Sequence, residues 1–306
     1  MSRVAGIDCG TNSIRLLVAD LEGGALTDVH REMRVVRLGE GVDRTGRLAP
    51  QALERTRLAL VDYAAVIKQH GADRVRMVAT SASRDADNAA EFAATVLDTL
   101  GVEPEVITGL AEASLSFTGA VAGLPAARDP LLVADIGGGS TELVLGSPAA
   151  AAVLAAYSMD VGCVRLTERH LHTDPPRPAE IEATLADLRT ALSAAGEQVP
   201  VAEAAGFVGV AGTVTTIAAI ALGLSAYDPV AIHGSVISYR QVAEVSSQLL
   251  AMSRADRAAL PVMHPGRVDV IGGGALVLRT VMEFVGAAEV LVSEHDILDG
   301  IALSLG

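Results

Sequence analysis

The sequence predicts an α/β protein of two related domains, on three observations. Strand-length apolar runs alternate with helix-length runs of one-sided apolar spacing along the whole chain, the pattern of mixed helix-on-sheet packing. Two segments, Asp8-Cys9-Gly10-Thr11-Asn12-Ser13-Ile14-Arg15-Leu16 and Asp135-Ile136-Gly137-Gly138-Gly139-Ser140-Thr141-Glu142-Leu143, match at an offset of 127 residues, with Asp, Gly, Ser and Leu coinciding. The length of 306 residues suits about two domains at roughly 100–200 residues each.

In chain order, Val4–Asp8 and Ser13–Asp20 read as strands, Glu22-Gly23-Gly24 as a hairpin turn, and Val29–Leu38 as a third strand. Pro50 opens a helix that places Leu53, Leu60, Ala64 and Ile67 on one face. Val75–Ala79 is a strand, Thr80–Asn88 a polar loop, Ala89–Leu100 a helix, Glu105–Thr108 a strand and Ala111–Val121 a helix. Pro125 to Pro130 reads as a boundary. Leu131–Asp135, Glu142–Gly146 and Val153–Tyr157 then form a meander, and Pro178–Ala195 is a helix with Ile181, Leu185, Leu188 and Leu192 at helical spacing. Gly206–Ala211 is a strand, Thr213–Leu222, Tyr239–Met252 and Val268–Val285 are helices, Glu289–Ser293 is a last strand and Asp296–Leu305 a closing helix.

Composition excludes several classes of function. Half of the residues are hydrophobic and the mean hydropathy is +0.41, which excludes global disorder. Aromatics are 3% and Trp is absent, so no row of stacking rings is available for bases. A net charge of −14 argues against a nucleic-acid polymer or an anionic membrane as partner. Lys68 is the one lysine among 23 basic residues. The arginine excess suits phosphate recognition and equally fits coding bias. Cys9 and Cys163 make no disulfide framework, and Asp8 interrupts the first apolar stretch, so no signal peptide and a reducing, cytoplasmic home are expected. Residues 208–227 carry no charge, but their glycines and threonines predict strand, turn and buried helix rather than a membrane span.

Each copy of the repeat follows one apolar strand and leads into another, so each reads as a hairpin with a polar tip. Glycine lets backbone approach a ligand, and successive amides with Ser/Thr hydroxyls form a concave anion site. Gly10, Thr11, Asn12 and Ser13 in one copy, and Gly137, Gly138, Gly139, Ser140 and Thr141 in the other, are therefore candidate phosphate ligands. An Asp at the end of a leading strand can hold a divalent cation, which makes Asp135 and Asp8 candidates. The copies differ at one informative place, Arg15 against Glu142. An arginine suits a substrate phosphate; a glutamate beside phosphate suits metal binding or water activation.

These tips resemble the phosphate-binding hairpins of the actin/Hsp70/sugar-kinase superfamily. With Thr80-Ser81-Ala82-Ser83-Arg84-Asp85-Ala86-Asp87-Asn88, Gly109-Leu110-Ala111-Glu112-Ala113 and Gly212-Thr213, the set is similar to the exopolyphosphatase/guanosine pentaphosphatase (Ppx/GppA) family, in family order over nearly the whole chain. The resemblance is nearest to its short two-domain actinobacterial type, through Cys163-Val164-Arg165-Leu166-Thr167-Glu168 and the tail 293–304.

The resemblance implies two actin-like (ribonuclease H-like) domains with a phosphate-binding cleft between them. Domain I would be 1–113, with helix 295–306 packing back, and domain II 114–294. It also implies release of terminal phosphate from inorganic polyphosphate or pppGpp with Mg²⁺ or Mn²⁺, and a possible homodimer. The family's catalytic carboxylate falls on Glu112 and its second on Glu142, and its loop Arg and Asn fall on Arg84 and Asn88. The first Glu of the family's Glu-Glu pair is Ala111 here, which leaves a weakly active alarmone sensor as an alternative. Longer members add C-terminal helical domains, so short polyphosphate chains are the expected substrate. An ATP-dependent kinase is a third reading, which Glu112 and the 80–88 loop disfavour.

Other features are open. Gly212-Thr213 suits phosphate at a helix N-terminus or a plain cap. Ile271-Gly272-Gly273-Gly274 suits close helix packing first and backbone approach to a ligand second. Arg15, Arg84, Arg165 and Arg267 are expected to build a basic strip in an acidic molecule, although Arg165 and Arg267 suit surface ion pairs better. His170, His172 and His295-Asp296 lack partners for a metal site and read as surface or packing histidines. Cys9 reads as a small buried residue rather than a catalytic thiol.

Overall fold

The structure, a computed structural model, describes residues 2–124 and 128–306. Part of the expected boundary at 125–130 lies outside those residues. The chain forms two compact units, one running to Gly119 and including Ile297–Gly306, the other Ala120–Asp296.

The first unit contains β1 (Ser2–Cys9), β2 (Ser13–Glu22), β3 (Ala25–Val35), α1 (Val42–Thr45), α2 (Pro50–His70), β4 (Arg74–Ala79), α3 (Ser81–Arg84), α4 (Ala89–Leu100), β5 (Glu105–Val106) and α5 (Gly109–Val121) up to Gly119. Its sheet has the order β3-β2-β1-β4-β5, with β1 antiparallel to β2 and parallel to β4. β3 starts ten residues' worth of pairing directly from the Gly23-Gly24 turn, where both glycines take positive φ, and ends at Val35. The expected strand at 29–38 was therefore displaced towards the C-terminus. This is an edge strand with polar residues on both faces, so periodicity does not mark its start.

α2 begins on Pro50 and ends at Gly71, whose φ of 67° is left-handed. Its buried face is Ala52, Thr56, Ala59, Leu60, Tyr63 and Ile67, rotated from the expected set of Leu53, Leu60, Ala64 and Ile67. Tyr63 belongs inside because its hydroxyl donates to the Ile14 carbonyl at 2.9 Å, which satisfies its one polar atom. The 80–88 segment, expected as loop, contains the single turn α3.

The second unit contains β6 (Leu131–Ile136), β7 (Thr141–Ser147), β8 (Ala152–Met159), α6 (Cys163–His170), α7 (Pro178–Gln198), β9 (Gly206–Val210), α8 (Ala211–Ala221), α9 (Pro229–Ile232), β10 (Val236–Ser238), α10 (Tyr239–Ala251), α11 (Arg254–Ala258), α12 (Ile271–Val285) and β11 (Glu289–Val292). Its sheet order is β8-β7-β6-β9-β11-β10, again with an antiparallel meander and a parallel strand beside the first. Leu132, Ala134 and Ile136 of β6 pack into a core with Leu188, Leu192, Ile217, Leu276 and Val281. Residues 208–227 form the end of β9 and α8 as expected, and among the described residues no helix is long and apolar enough to cross a membrane.

α13 (Ile297–Leu303) returns to the first unit. Leu298 and Ala302 pack on Val4, Leu17 and Ala19, and Asp299, 2% exposed, takes Arg31 at 2.5 Å. A Cβ on Gly300 would meet the Leu115 backbone, with the carbonyl carbon at 2.7 Å. Gly300→Ala should lower the unfolding free energy by about 1–3 kcal/mol, the usual cost of overpacking. Urea denaturation checks this; an unchanged midpoint would show that α13 is not packed this tightly.

Candidate functional site

The two repeat tips close in the same way. Gly10 N donates to Ser13 O at 3.0 Å, and Gly137 N to Ser140 O at 3.1 Å, so equivalent residues make equivalent turns. Each tip is also tied back through its carbonyls. Thr11 O accepts from Gly39 N and Asn12 O from Val36 N and Arg37 N; Gly137 O accepts from Cys163 N and Gly138 O from Val164 N. A turn with its carbonyls engaged on one side suits an anion at its amides. The approach on the second tip is so close that a Cβ on Gly162 would lie 2.6 Å from the Gly138 carbonyl carbon.

Behind each tip stands the pair in which the copies differ. Asp8 lies directly across the strands from Arg15, and Asp135 from Glu142. Residues directly opposite on antiparallel strands share a face. Arg15 donates to Asp8 Oδ2 from Nε at 2.9 Å and Nη2 at 2.7 Å. The guanidinium expected on phosphate is thus engaged with the carboxylate expected near a metal. Asp135 and Glu142 are 6% and 1% exposed, and Glu142 Oε1 accepts from Ser158 Oγ at 2.7 Å.

Two buried carboxylates on one face are hard oxygen donors that fit Mg²⁺ or Mn²⁺. Among the described residues no group of three or more His, Cys, Asp or Glu could hold a metal ion. That donor set fits a cation that keeps waters and is completed by substrate oxygens, rather than a closed protein cage.

Glu112 lies in the first turn of α5 and is 7% exposed. Arg84, at the end of α3, donates from Nη1 to Glu112 Oε2 at 3.1 Å and to the Ile107 carbonyl at 3.0 Å. The arginine therefore ties the glutamate to the end of β5 and fixes where it points. Other expected phosphate ligands have partners of their own. Thr11 shares a hydrogen bond with Ser81 at 2.9 Å, Thr141 donates to Val161 O at 2.6 Å, and Asn88 bonds both backbone groups of Leu48. These groups hold the tips and the 80–88 segment in shape.

At the β9–α8 turn, Ala211 has a φ of +69°, a conformation that side chains other than glycine rarely adopt and that clusters at functional sites. Gly212 follows, with the Arg267 guanidinium packed against it and donating to Thr216 Oγ1 at 3.0 Å. Arg165 donates from Nε to Gly139 O at 2.7 Å. Both arginines thus sit on backbone turns of the second unit. Sequence reasoning passed over Ser81, Gly162 and Ser158. Gly162, placed just before a helix start, was the one with a readable signal.

Both cysteines are buried and free. Burial pushes the Cys163 thiol up to about 11, against the opposing pull of Thr213 and Arg267, and pushes Cys9 up as well. A raised thiol pKa leaves less thiolate at a given pH, so at pH 8 Cys163 is about one part in a thousand ionised. Neither cysteine should react with a thiol reagent at pH 8 until the protein is unfolded. Fast labelling of the native protein would show one of them to be open and activated.

The profile of the Ppx/GppA phosphatase family matches residues 17–305. Exopolyphosphatase 2 of Mycobacterium tuberculosis is 54% identical over all of this chain and 99% of its own length. The crystal structure of an exopolyphosphatase-like protein superposes with a TM-score of 0.96 at 44% identity, covering 100% of this chain and 98% of that one. The crystal structure of the Aquifex aeolicus Ppx/GppA family member gives a TM-score of 0.82 at 32% identity, covering 99% and 97%. The fold is therefore the two-domain actin-like α/β fold, and this chain belongs to the Ppx/GppA phosphatase family.

Proposed function

We propose that the chain is an exopolyphosphatase that releases terminal orthophosphate from inorganic polyphosphate, short chains preferred. The observation that carries this reading is Glu112, a buried carboxylate held in one direction by Arg84. Phosphoanhydride hydrolysis needs a positioned water and neutralised charge more than covalent chemistry. Glu112 orients the water and takes its proton as the oxygen joins the terminal phosphorus and the bridging P–O bond breaks. Gly10–Ser13 and Gly137–Thr141 hold phosphate oxygens, with Gly212-Thr213 at the N-terminus of α8 as a further phosphate contact. Asp135 and Glu142 hold a divalent cation, Ser158 orients Glu142, and Asp8 keeps Arg15 in place. The bound cation supplies positive charge to the phosphate oxygens, which a chain of net charge −14 otherwise repels. Long-range repulsion is screened beyond about 8–10 Å at ordinary ionic strength, so the local groups decide. Two free, buried thiols suit a reducing compartment such as the cytoplasm.

Phosphate release over defined polyphosphate lengths, with pppGpp in parallel, tests the reading. Glu112→Gln should lower kcat by about 10²–10⁴-fold, the usual share of a general base, while KM changes little. Normal turnover by a folded Glu112→Gln protein would remove Glu112 from the chemistry. Glu142→Gln should raise the Mg²⁺ or Mn²⁺ concentration for half-maximal rate by about tenfold or more; an unaltered metal requirement would place the cation elsewhere. Faster turnover of pppGpp than of any polyphosphate would favour the alarmone phosphohydrolase, and ATP-dependent phosphorylation of an acceptor would favour the kinase.

A further inference from the structure

The three consecutive glycines of α12 are not alike. A Cβ on Gly273 would meet Thr167 Oγ1 at 2.7 Å and the Cys163 carbonyl at 2.9 Å, and one on Gly274 would meet Thr213 Oγ1 at 2.6 Å. Close packing of α12 on α6 and α8 demands both. Gly272 is different: its nearest neighbour would be Leu250 Cδ2 at 3.5 Å, an ordinary contact, and its φ is not in the left-handed region. Glycine is the weaker choice within a helix, and neither packing nor backbone requires it here. What Gly272 does is leave space. It lines a cavity of about 220 Å³ in the second unit, smaller than sites for drug-sized ligands.

The lining of this cavity has a polarity. Leu171, Pro176 and Leu250 supply apolar lining. The two carboxylates in the wall are already neutralised. Asp174 accepts from Arg257 Nη2 at 2.8 Å and from the Arg254 amide at 2.7 Å, and Asp269 accepts from Arg254 Nε at 2.6 Å. Arg257, whose side chain is nearly buried, also donates to the carbonyls of Val268, Leu249 and Met252. Arg254 does not: its side chain is 59% exposed, and among the described residues only its Nε is engaged. The polar capacity left in the lining is thus the Arg254 guanidinium N–H groups and the His172 ring, beside apolar side chains.

The same cavity touches the catalytic side of the unit through one short helix. α6 receives the tip at its first turn, through Cys163 N to Gly137 O and Val164 N to Gly138 O. Thr167 in its second half and Leu171, the residue just after its end, are cavity wall. Gly273 locks α12 onto α6 between the two, so a shift at the cavity end moves a packed helix rather than a loop.

We propose that this cavity, kept open by Gly272, is an effector site for a small organic anion, whose oxyanion meets Arg254 and whose compact apolar body rests on Leu171, Pro176 and Leu250, and that α6 carries its occupancy to the Gly137–Gly139 tip. Binding itself is independent of the exopolyphosphatase reading; only the effect on turnover rests on it.

The test uses the full chain and three probes: benzoate, which has both features; acetate, which lacks the body; and benzyl alcohol, which lacks the charge. Millimolar benzoate should raise Tm and change kcat for polyphosphate by about twofold or more, with acetate and benzyl alcohol weaker on both. Arg254→Ala and Gly272→Leu, neither in the catalytic machinery, should keep basal kcat and lose both responses. Arg254→Ala stands alone if Gly272→Leu misfolds, because the Arg254 side chain is exposed. No Tm response to benzoate in the unaltered chain, or the same response in the variants, overturns the site. A Tm response with unchanged kcat overturns the relay through α6.

Discussion

The closure of one four-residue turn, made twice, is the constraint on which the rest of the structure depends. Gly10 N to Ser13 O and Gly137 N to Ser140 O set two hairpin tips with the same backbone, at the ends of two strands that hold the same place in two sheets. Everything nearby serves to keep those turns in shape. Buried β1 and β6 fix the strand ends, the 36–39 segment and the first turn of α6 take the tip carbonyls, and Gly39 and Gly162 allow the approach. Thr11, Thr141 and Asn88, which look like ligands in sequence, also make hydrogen bonds that brace this region.

On this shared frame the two copies have taken opposite charges. In the first unit the leading-strand aspartate faces an arginine and the pair is internally neutral. In the second, the equivalent aspartate faces a glutamate with a serine hydroxyl behind it. Two buried carboxylates side by side repel unless a cation or proton stands between them. In the proposed function this asymmetry divides the labour of the repeat: phosphate holding in both, charge neutralisation in one. In that proposal Glu112 adds water activation from outside the repeat, with Arg84 donating to its carboxylate.

How much of this was readable from the residues varies with the physics. The tips were legible because glycine and paired Asp/Ser positions are rare signals with a specific backbone meaning, and the duplicated sheets follow from them. Buried strands such as Leu131–Ile136 were legible as apolar runs. The edge strand β3 was displaced in the reading because an edge carries polar residues on both faces. Tyr63 was missed as core because its burial depends on a carbonyl 49 residues away in sequence. The roles of Arg84 and Arg15 were legible only in part: residue type announces a charge, whereas its partner is a property of the fold. Gly272 and Gly273 are identical letters in adjacent positions with different reasons to exist, which no sequence pattern separates.

The central proposal is that each repeat tip binds phosphate oxygens through its backbone amides. Backbone amide resonances of Gly10–Asn12 and Gly137–Gly139, followed while a non-hydrolysable methylene-bridged triphosphate is added with Mg²⁺, test it most directly. Saturable shifts of both sets are the predicted result. Shifts in one set alone, or in neither while the ligand demonstrably binds, would contradict the account.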